Sequence, residues 1–258
     1  MIKNERFDSI MEILKREKYS TPDKLSKMLY VSPVTIRRDL KKFESDGLVS
    51  TCYGGVSIVT HDNRDVPLCV RENFNENIKL SLAKRAAKLI TNGSTVFLDA
   101  SSTVSFIANF LEPEQDITVI TNGIKALTTL SQRHIKAYCT GWKLIDNSLA
   151  FTGAIALKTV KGMNADFMFF SSQGLGFDGK ITDFSESETE LRCAMLERAR
   201  QKYFLCDNSK LGKTYLFEVC CADELDGVIC DRDYKQIPDS EKERHAADSA
   251  MKNTFPKP

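Results

Sequence analysis

Two adjacent arginines lie in a segment whose apolar residues repeat at helical spacing. Ile36, Leu40 and Phe43 share one stripe of a helix, so the positions between them face the other way. Arginine presents a planar fork of donors that fits guanine edges and phosphate oxygens. The outward face of this helix therefore predicts contacts in a DNA major groove. Its candidate residues are Val34, Thr35, Arg37, Arg38, Lys41 and Lys42.

Hydroxyl residues stand where two helices are predicted to begin. Thr21 precedes Pro22 and Ser32 precedes Pro33, which is the order of an N-cap and a first helical position. The N–H groups and hydroxyls at a helix start also bind phosphate, so Thr21 and Ser32 join the candidate DNA contacts. The alternative interpretation is that the basic face is only a solvated surface.

A second group of polar residues follows predicted strands later in the chain. Asp99-Ala100-Ser101-Ser102-Thr103 comes directly before a predicted helix, and Thr121-Asn122-Gly123 forms a similar turn. A glycine-rich loop with Gly176, Asp178 and Gly179 comes third. Small hydroxyl residues at such turns leave N–H groups free for a phosphate, or they act only as helix N-caps. The glycine-rich loop could likewise close over a ligand or merely turn the chain.

The basic helix needs partners to hold it in place. The spacing of Phe7, Ile10, Met11 and Leu14 predicts a first helix, and Leu25, Met28 and Leu29 predict a short second one. Two short helices joined by a tight turn have the dimensions of a helix-turn-helix. After Asp46-Gly47, the segments 48–51 and 56–59 flank Gly54-Gly55 and predict a β-hairpin. This hairpin would be a wing lying against the DNA backbone.

The remaining chain alternates short β-rich runs with helical stretches, which predicts a mostly parallel sheet covered on both faces. Ligands bind beyond the carboxyl ends of such strands, where the polar turns fall. The predicted strands are Thr95–Leu98, Ile117–Thr121, Ile135–Cys139, Phe167–Ser171, Tyr203–Cys206 and Val228–Cys230. The predicted helices are Ile78–Ile90, Val104–Leu111, Ile124–Ser131 and Glu188–Arg200.

Composition agrees with a small module joined to a larger one. The chain has 258 residues, of which 42% are hydrophobic and 28% charged. Residues 1–57 carry eleven Lys or Arg against eight Asp or Glu, although the whole chain has a net charge of only +1. The eight cysteines and three histidines show no metal-ligand spacing, so no metal or cofactor is predicted. The sequence lacks an apolar run long enough for a membrane span or a signal peptide, and a cytoplasmic protein is expected.

The N-terminal motifs resemble a known family. VSPVTIRRDLKKFESDGLV followed by YGGV is similar to the winged helix-turn-helix of the DeoR family of bacterial repressors. The resemblance covers residues 6–57 and implies DNA contacts by the wing residues Tyr53, Gly54 and Gly55. Tyr53 departs from the family, which usually has a histidine there.

The C-terminal motifs resemble the sensor domain of the same family over about residues 74–232. They are FLDASSTV, VITNG, FTGAIA, GLGFDGKITDFSESETELR and LCDNSKLG. The resemblance implies a sugar-phosphate isomerase-like fold that binds a phosphorylated sugar. It implies phosphate contacts by Ser101, Ser102 and Thr103, hydroxyl contacts by Asp99, Asn122, Asp178 and Glu188, and a positive charge from Lys210. The other candidate effector-binding residues are Gly123, Gly176, Gly179 and Arg192.

Three positions depart from the sensor family. A glycine is usual at Ser101, a glycine pair where this chain has Gly141-Trp142, and a lysine near Arg192. The side chain of Trp142 would either form the floor of the effector pocket or fill the pocket. Arg192 would contact the effector or, equally, be an exposed helical charge paired with Glu188 at i, i+4.

These observations predict four segments: a winged helix-turn-helix over 1–59, a linker over 60–73, an effector-sensing α/β domain over 74–234 and a disordered polar tail over 235–258. We expect a repressor that is controlled by a phosphorylated sugar, that binds operator DNA as a dimer or tetramer and that has no membrane partner. The alternative is a sugar-phosphate isomerase with a DNA-binding head. A DNA-packaging role is disfavoured because the large domain is not basic.

Overall fold

The computed structural model describes residues 3–17, 19–45, 49–52, 55–58 and 67–232. The chain forms two compact units, and the boundary between them along the chain falls between Glu76 and Asn77. The tip of the predicted wing, with Tyr53 and Gly54, lies outside the described residues. The helix end at Asp46-Gly47, most of the predicted linker and the predicted tail lie outside them as well.

The N-terminal unit is a three-helix arrangement with a small antiparallel sheet. The sheet has the order β1-β3-β2, and β2 pairs with β3 as the predicted hairpin. The described elements are α1 (Lys3–Glu17), β1 (Tyr19–Ser20), α2 (Pro22–Leu29), α3 (Pro33–Ser45), β2 (Val49–Cys52), β3 (Gly55–Ile58) and α4 (Leu68–Asn73). The helix-turn-helix prediction is confirmed. The predicted linker contains the helix α4, which sequence periodicity did not indicate.

Caps and a buried stripe explain why α2 and α3 form. The Thr21 hydroxyl accepts the Lys24 N–H at 3.1 Å, and the Ser32 hydroxyl accepts the Thr35 N–H at 3.2 Å. Helix α2 ends at Leu29 and is capped by Tyr30, whose left-handed φ of 53° turns the chain toward α3. The core is formed by Ile10, Ile13, Leu14, Leu25, Ile36, Leu40, Phe43, Val49 and Val56.

A buried ion pair ties α3 to α1. Arg6 Nε lies 2.6 Å from Asp39 Oδ2, and both side chains are almost completely enclosed. A buried ion pair adds little to the net stability of a protein. Removing one partner is nevertheless destabilising, because the other charge is left buried without compensation. The pair therefore fixes how α3 sits on α1 and sets the direction of its exposed face.

The C-terminal unit is an α/β domain, as predicted. Its helices are α5 (Glu76–Ala87), α6 (Ser102–Ser105), α7 (Ile124–Gln132), α8 (Ala154–Lys161) and α9 (Glu186–Glu197), the first beginning at the unit boundary. Its strands are β4 (Thr95–Leu98), β5 (Thr118–Thr121), β6 (Lys136–Cys139), β7 (Lys143–Ile145), β8 (Ala150–Thr152), β9 (Ala165–Phe170), β10 (Gly174–Leu175), β11 (Lys180–Asp183), β12 (Ala199–Cys206), β13 (Phe217–Cys221) and β14 (Gly227–Cys230). Short 3₁₀ segments cover Phe106–Phe110, Pro113–Gln115, Asn208–Lys210 and Ala222–Glu224.

Six strands form one parallel sheet in the order β14-β12-β9-β4-β5-β6. Alternate residues of β4, β5, β9, β12 and β14 enter two separate hydrophobic clusters, so both faces of the sheet are buried along these strands. Phe97, Met168, Phe170 and Phe204 pack with residues of α8 and α9 in one cluster. Val96, Leu98, Phe169 and Leu205 pack with residues of α5 and α7 in the other.

Some short elements were not predicted. Strands β10, β11 and β13 form a separate antiparallel sheet, β7 and β8 form a hairpin, and α8 was missed. The helix expected over Val104–Leu111 is a four-residue α-helix followed by a 3₁₀ segment. Among the described residues, six cysteines are unpaired, no His, Cys, Asp or Glu group could hold a metal ion, and no helix is long and apolar enough to cross a membrane.

Candidate functional site

Helix α3 presents a basic face to solvent. Arg37, Arg38, Lys41 and Lys42 are all exposed, whereas Ile36 and Leu40 of the same helix are buried. The pairing of Arg37 with Asp23 spans 3.9 Å between exposed side chains, so it holds the guanidinium only weakly. This geometry is that of a recognition helix with its side chains available to duplex DNA.

The start of α3 combines a cap with a small exposed surface. Ser32 is exposed and Val34 is exposed, while Thr35 is half-buried with its hydroxyl 3.0 Å from that of Ser32. Thr21 and Ser32 thus serve first as N-caps, and the resulting helix start points N–H groups outward. Gly55 has a structural role as well, because a Cβ there would overlap the ring of Tyr19. Gly55 therefore allows β1 and β3 to pack closely.

The parallel sheet brings four polar turns to one edge. Asp99 follows β4, Asn122 follows β5, Ser171 follows β9 and Asp207 follows β12. All four are buried, which is unusual for polar groups that lack a structural reason. This arrangement agrees with the prediction that the functional polar residues lie at the carboxyl ends of the strands, where ligands bind in sheets of this kind.

Asp99 lies at the centre of this edge, with both carboxylate oxygens occupied. Oδ1 accepts the Ser101 N–H at 3.1 Å and the Ser101 hydroxyl at 2.6 Å. Oδ2 accepts the Ser171 N–H at 3.3 Å and Arg192 Nε at 3.0 Å. Asp99 therefore fixes the turn after β4 against β9 and α9.

Arg192 joins three acidic residues in the interior. Besides Asp99, its guanidinium lies 3.2 Å from Asp183 Oδ2 and 3.8 Å from Glu188 Oε2. Burial disfavours the charge, but the attraction of Asp183, Asp99 and Glu188 is stronger and raises the pKa of Arg192 above its usual value. Arg192 is only 4% exposed, so the interpretation as an exposed helical charge is wrong, although the Glu188 pairing exists. The correction follows from α9 packing over the sheet.

Lys210 brings a second cation to the same edge. Its Nζ donates to the Ser171 hydroxyl at 2.7 Å, and that hydroxyl donates to the Leu205 carbonyl at 2.6 Å. Burial raises the pKa of the neighbouring Asp207, but Lys210, Ser209 and Lys79 oppose this and leave it lowered. Asp207 therefore favours its charged form, beside two buried lysines.

The turns after β4 and β5 hold polar atoms without protein partners. Ser101 is engaged, because its hydroxyl donates to Asp99 and accepts the Val104 N–H. Ser102 and Thr103 are buried, and the Thr103 hydroxyl lacks a hydrogen-bond partner. Asn122 donates its amide to the Phe151 carbonyl at 3.1 Å, while its Oδ1 is buried without a partner. Unsatisfied buried groups of this kind call for water or a ligand.

Gly123 allows these two turns to approach one another. A Cβ on Gly123 would lie 2.9 Å from the Cα of Ala100, which is closer than real Cβ atoms come. The N–H of Gly123 donates to the Thr121 hydroxyl at 3.0 Å, and α7 begins at the next residue. Gly123 therefore supports the site through close backbone packing.

The glycine-rich loop forms the turn between β10 and β11. Asp178 is exposed and accepts the Lys180 N–H at 3.1 Å, and the Gly179 N–H donates to the Gly176 carbonyl at 3.0 Å. Gly179 has a φ of 85°, which favours glycine. These contacts lie within the turn itself, so they do not connect Asp178 to the buried network around Asp99.

Sequence reasoning missed three contributors to the network. Asp183 belongs to β11, and Ser171 and Ser172 follow β9. The Ser172 hydroxyl lies 2.7 Å from the Thr182 carbonyl and 3.0 Å from Asp183 Oδ2. Ser171-Ser172 could have been found by the rule that identified Asp99, because they are polar residues directly after an apolar strand. Asp183 gave no such signal, since its sheet was not predicted.

Comparison with known proteins identifies the family of both domains. Residues 6–62 match the DeoR-like helix-turn-helix domain, and residues 74–232 match the DeoR C-terminal sensor domain. The chain belongs to the DeoR family. The regulator YulB of Bacillus subtilis is 31% identical over 90% of this chain and 90% of its own length. DeoR-family membership makes the chain a transcriptional regulator that binds DNA through its N-terminal domain.

More distant relatives carry more specific names. The glycerol-3-phosphate regulon repressor of Escherichia coli is 25% identical over 90% of this chain and 92% of its own length. Among solved structures, ribose 5-phosphate isomerase A of Methanocaldococcus jannaschii matches 53% of this chain and 55% of its own, with 20% identity and a TM-score of 0.41.

Proposed function

We propose that this DeoR-family regulator represses genes of carbohydrate metabolism and is controlled by a phosphorylated sugar bound at the carboxyl edge of its parallel sheet. The proposal depends on one observation at that edge. Two buried lysines, Lys79 and Lys210, and the unsatisfied polar atoms of Thr103 and Asn122 lie there with the hydroxyl-rich turn after β4. A repressor of the glycerol-3-phosphate regulon among the relatives supports both the repressor role and the phosphorylated ligand.

The DNA-binding surface is the exposed face of α3 with its capped start. We assign base or phosphate contacts to Arg37 and Arg38, and phosphate contacts to Lys41 and Lys42. The start of α3, with the exposed Ser32 and Val34 and the half-buried Thr35, completes this surface. Thr21 and the wing residues Tyr53, Gly54 and Gly55 are assigned to the flanking backbone contacts.

We assign different residues to the phosphate of the effector and to its sugar hydroxyls. Ser102, Thr103 and the N–H groups of their turn form the phosphate cradle, and Lys210 supplies positive charge. Asn122 offers an acceptor to a sugar hydroxyl through its free Oδ1. Asp99 and Arg192 position these groups, because their hydrogen bonds are made to one another, to Asp183 and to the turn, and Glu188 pairs with Arg192 at 3.8 Å. Ser101 and Gly123 shape the backbone, and Gly176, Asp178 and Gly179 form a loop at the rim.

A second candidate function is isomerisation of a sugar phosphate, because Asp99, Glu188 and Lys210 lie on neighbouring elements. Proton transfer needs a carboxylate oxygen within reach of a substrate carbon-bound proton. Both oxygens of Asp99 accept hydrogen bonds from the protein itself, which favours binding without turnover. We therefore assign the C-terminal domain to sensing and not to catalysis.

Operator DNA, a phosphorylated sugar and other copies of the chain are the proposed partners. Paired recognition helices read two half-sites, so a dimer or tetramer fits this role. We assign residues 1–59 to the DNA-binding domain. Residues 60–73 form a connecting segment, and residues 74–234 form the sensor.

The decisive experiment for the sensor is a thermal-shift screen of the full chain against phosphorylated sugars and their unphosphorylated forms. A ligand that binds only the folded state raises the melting temperature by mass action. We expect at least one phosphorylated sugar to raise it and its unphosphorylated counterpart to have no effect. Steady conversion of that sugar phosphate, followed by NMR, would favour the isomerase instead, and a screen without any stabilising phosphate would contradict the sensor.

A further inference from the structure

Trp142 is an exposed aromatic residue on a strained backbone. Its φ is +89°, the preceding Gly141 has a φ of +70°, and Trp142 is 60% exposed. Residues with bulky side chains rarely adopt this conformation, and those that do cluster at ligand sites and switch regions. Burial of the indole cannot explain the conformation, because most of the residue faces solvent.

The residues that precede Trp142 pair with β5 next to the proposed effector site. The Thr140 N–H donates to the Thr121 carbonyl at 3.1 Å, which extends the pairing of β6 with β5 up to the residue before Asn122. Trp142 is two residues further along the chain. It therefore stands at the carboxyl edge of the sheet, beside the turn that carries Asn122.

The hairpin β7-β8 returns the chain to the same turn. The Phe151 N–H donates to the Asn122 carbonyl at 2.7 Å, and the Ile124 N–H donates to the Leu149 carbonyl at 3.0 Å. Gly153 follows this hairpin and packs against the indole, since a Cβ on Gly153 would lie 3.0 Å from Cδ1 of Trp142. Trp142 and Gly153 thus flank the base of a hairpin that is bonded to the Asn122 turn.

Unsatisfied polar atoms accompany this exposed ring. Asn122 Oδ1, the Thr140 hydroxyl and the Ser148 hydroxyl are all buried without hydrogen-bond partners. The three residues are each at least nine-tenths buried. Small-molecule sites typically combine an aromatic surface with a few polar groups that fix orientation. The strained Trp142 forms that combination with Asn122 and Thr140 on the β5-β6 side of the edge, whereas Ser148 lies in the turn at the other end of the hairpin.

We propose that Trp142 is a specificity-determining residue whose indole packs against the apolar face of a sugar ring, so that the regulator selects ring-form sugar phosphates. The inference rests on the proposed function and deepens it. A pyranose or furanose ring presents C–H groups on a face and hydroxyls at its edge, which match an aromatic surface bordered by Asn122 and Thr140. An open-chain polyol phosphate lacks that face.

The chain contains a single tryptophan, so its fluorescence reports on this residue alone. The full-length protein is titrated with glucose 6-phosphate, fructose 6-phosphate, ribose 5-phosphate and the open-chain glycerol 3-phosphate, and binding is measured in parallel by calorimetry. We expect a ring-form probe to change the emission, with a midpoint equal to the calorimetric Kd. We expect glycerol 3-phosphate to bind at least about tenfold more weakly than that probe.

Two substitutions separate the role of the ring from that of the backbone. Trp142→Gly keeps the left-handed conformation and removes the aromatic surface, and it is expected to weaken binding of the ring-form probe about tenfold or more. Trp142→Phe keeps an aromatic face and is expected to stay within about threefold of the unaltered chain. Thermal unfolding of both variants shows whether they fold.

Each other outcome overturns the inference in a distinguishable way. A sugar phosphate that binds without changing the fluorescence, or that binds Trp142→Gly as tightly, removes Trp142 from the site but leaves the sensor proposal standing. Tighter binding of glycerol 3-phosphate than of every ring-form probe has the same consequence. Emission that changes only with protein concentration assigns Trp142 to a contact between copies. No binding by any probe contradicts both proposals.

Discussion

Arg192 shows how one residue can organise a binding edge without needing to touch the ligand. It connects α9 with Asp99 after β4 and with Asp183 in β11, at distances of 3.0 and 3.2 Å. A lysine would place a single ammonium there, whereas the guanidinium donates in two directions at once. Arg192 therefore holds the Asp99 turn and β11 together on α9.

Replacing Arg192 by Met should be strongly destabilising. The change leaves the carboxylates of Asp99 and Asp183 buried without their cation, and breaking such a buried pair costs about 3–5 kcal/mol. The free energy of unfolding is measured in urea by circular dichroism. Arg200→Met serves as a control, because Arg200 is highly exposed and lies 3.6 Å from Asp166. Equal stability of the two variants would show that Arg192 is not essential to the folded domain.

Asp207 should make stability depend on acidic pH. Its folded-state pKa is lowered, so its contribution is present above the unfolded pKa and is lost as the pH falls through the folded value. The usual Asp pKa of 3.8 places this loss below about pH 4. The unfolding free energy is compared between the unaltered chain and Asp207→Asn from pH 7 to pH 3. The variant should lose less stability over the acidic part, and parallel curves would exclude this role.

Helix α3 is the element on which DNA binding depends. Its exposed face follows from the buried stripe of Ile36 and Leu40 and from the Arg6–Asp39 pair that fixes it to α1. The face was predictable because a period of 3.6 residues assigns every position of a helix to a side. The ion pair was not predictable, since Arg6 and Asp39 are 33 positions apart and meet only when α1 packs on α3.

Alanine substitutions on α3 should weaken operator binding without unfolding the protein. Arg37→Ala and Arg38→Ala are each expected to cost about 1–3 kcal/mol if the side chain reads a base edge. Fluorescence anisotropy with a labelled operator measures the Kd of each variant. Arg16→Ala on α1 is a matched control, because Arg16 is exposed but belongs to another helix. If Arg37→Ala and Arg38→Ala bind as the control does, the recognition surface lies elsewhere.

The elements of the sensor domain differ in how well sequence predicts them. Strands β4, β5 and β9 are apolar runs of four to six residues followed directly by polar turns, so their order along the chain and the edge that carries Asp99 and Asn122 could be predicted. Strands β10 and β11 are two and four residues long and carry no clear alternation. Their pairing with β13 depends on long-range contacts, as does the burial of Arg192 beneath them. Only folding brings these segments together.

At the scale of the whole molecule, one chain carries a DNA-binding unit and a unit that we propose to be a sensor. The effector changes the affinity for DNA only if it binds the DNA-competent and DNA-incompetent states with different affinities. The size of that difference is the upper limit of its effect. Phosphate contacts by α3 also release counterions, so operator binding should weaken steeply as salt rises. The coupling must therefore be measured at one fixed ionic strength.

The most direct test is the Kd of the full-length chain for its operator, selected from genomic fragments, with and without the sugar phosphate that most raises the melting temperature. We predict a change in Kd of about fivefold or more, within the usual range of allosteric coupling. The unphosphorylated sugar should leave the Kd unchanged. A Kd that is the same with and without the sugar phosphate, at saturating concentration and constant salt, would contradict an effector-controlled regulator.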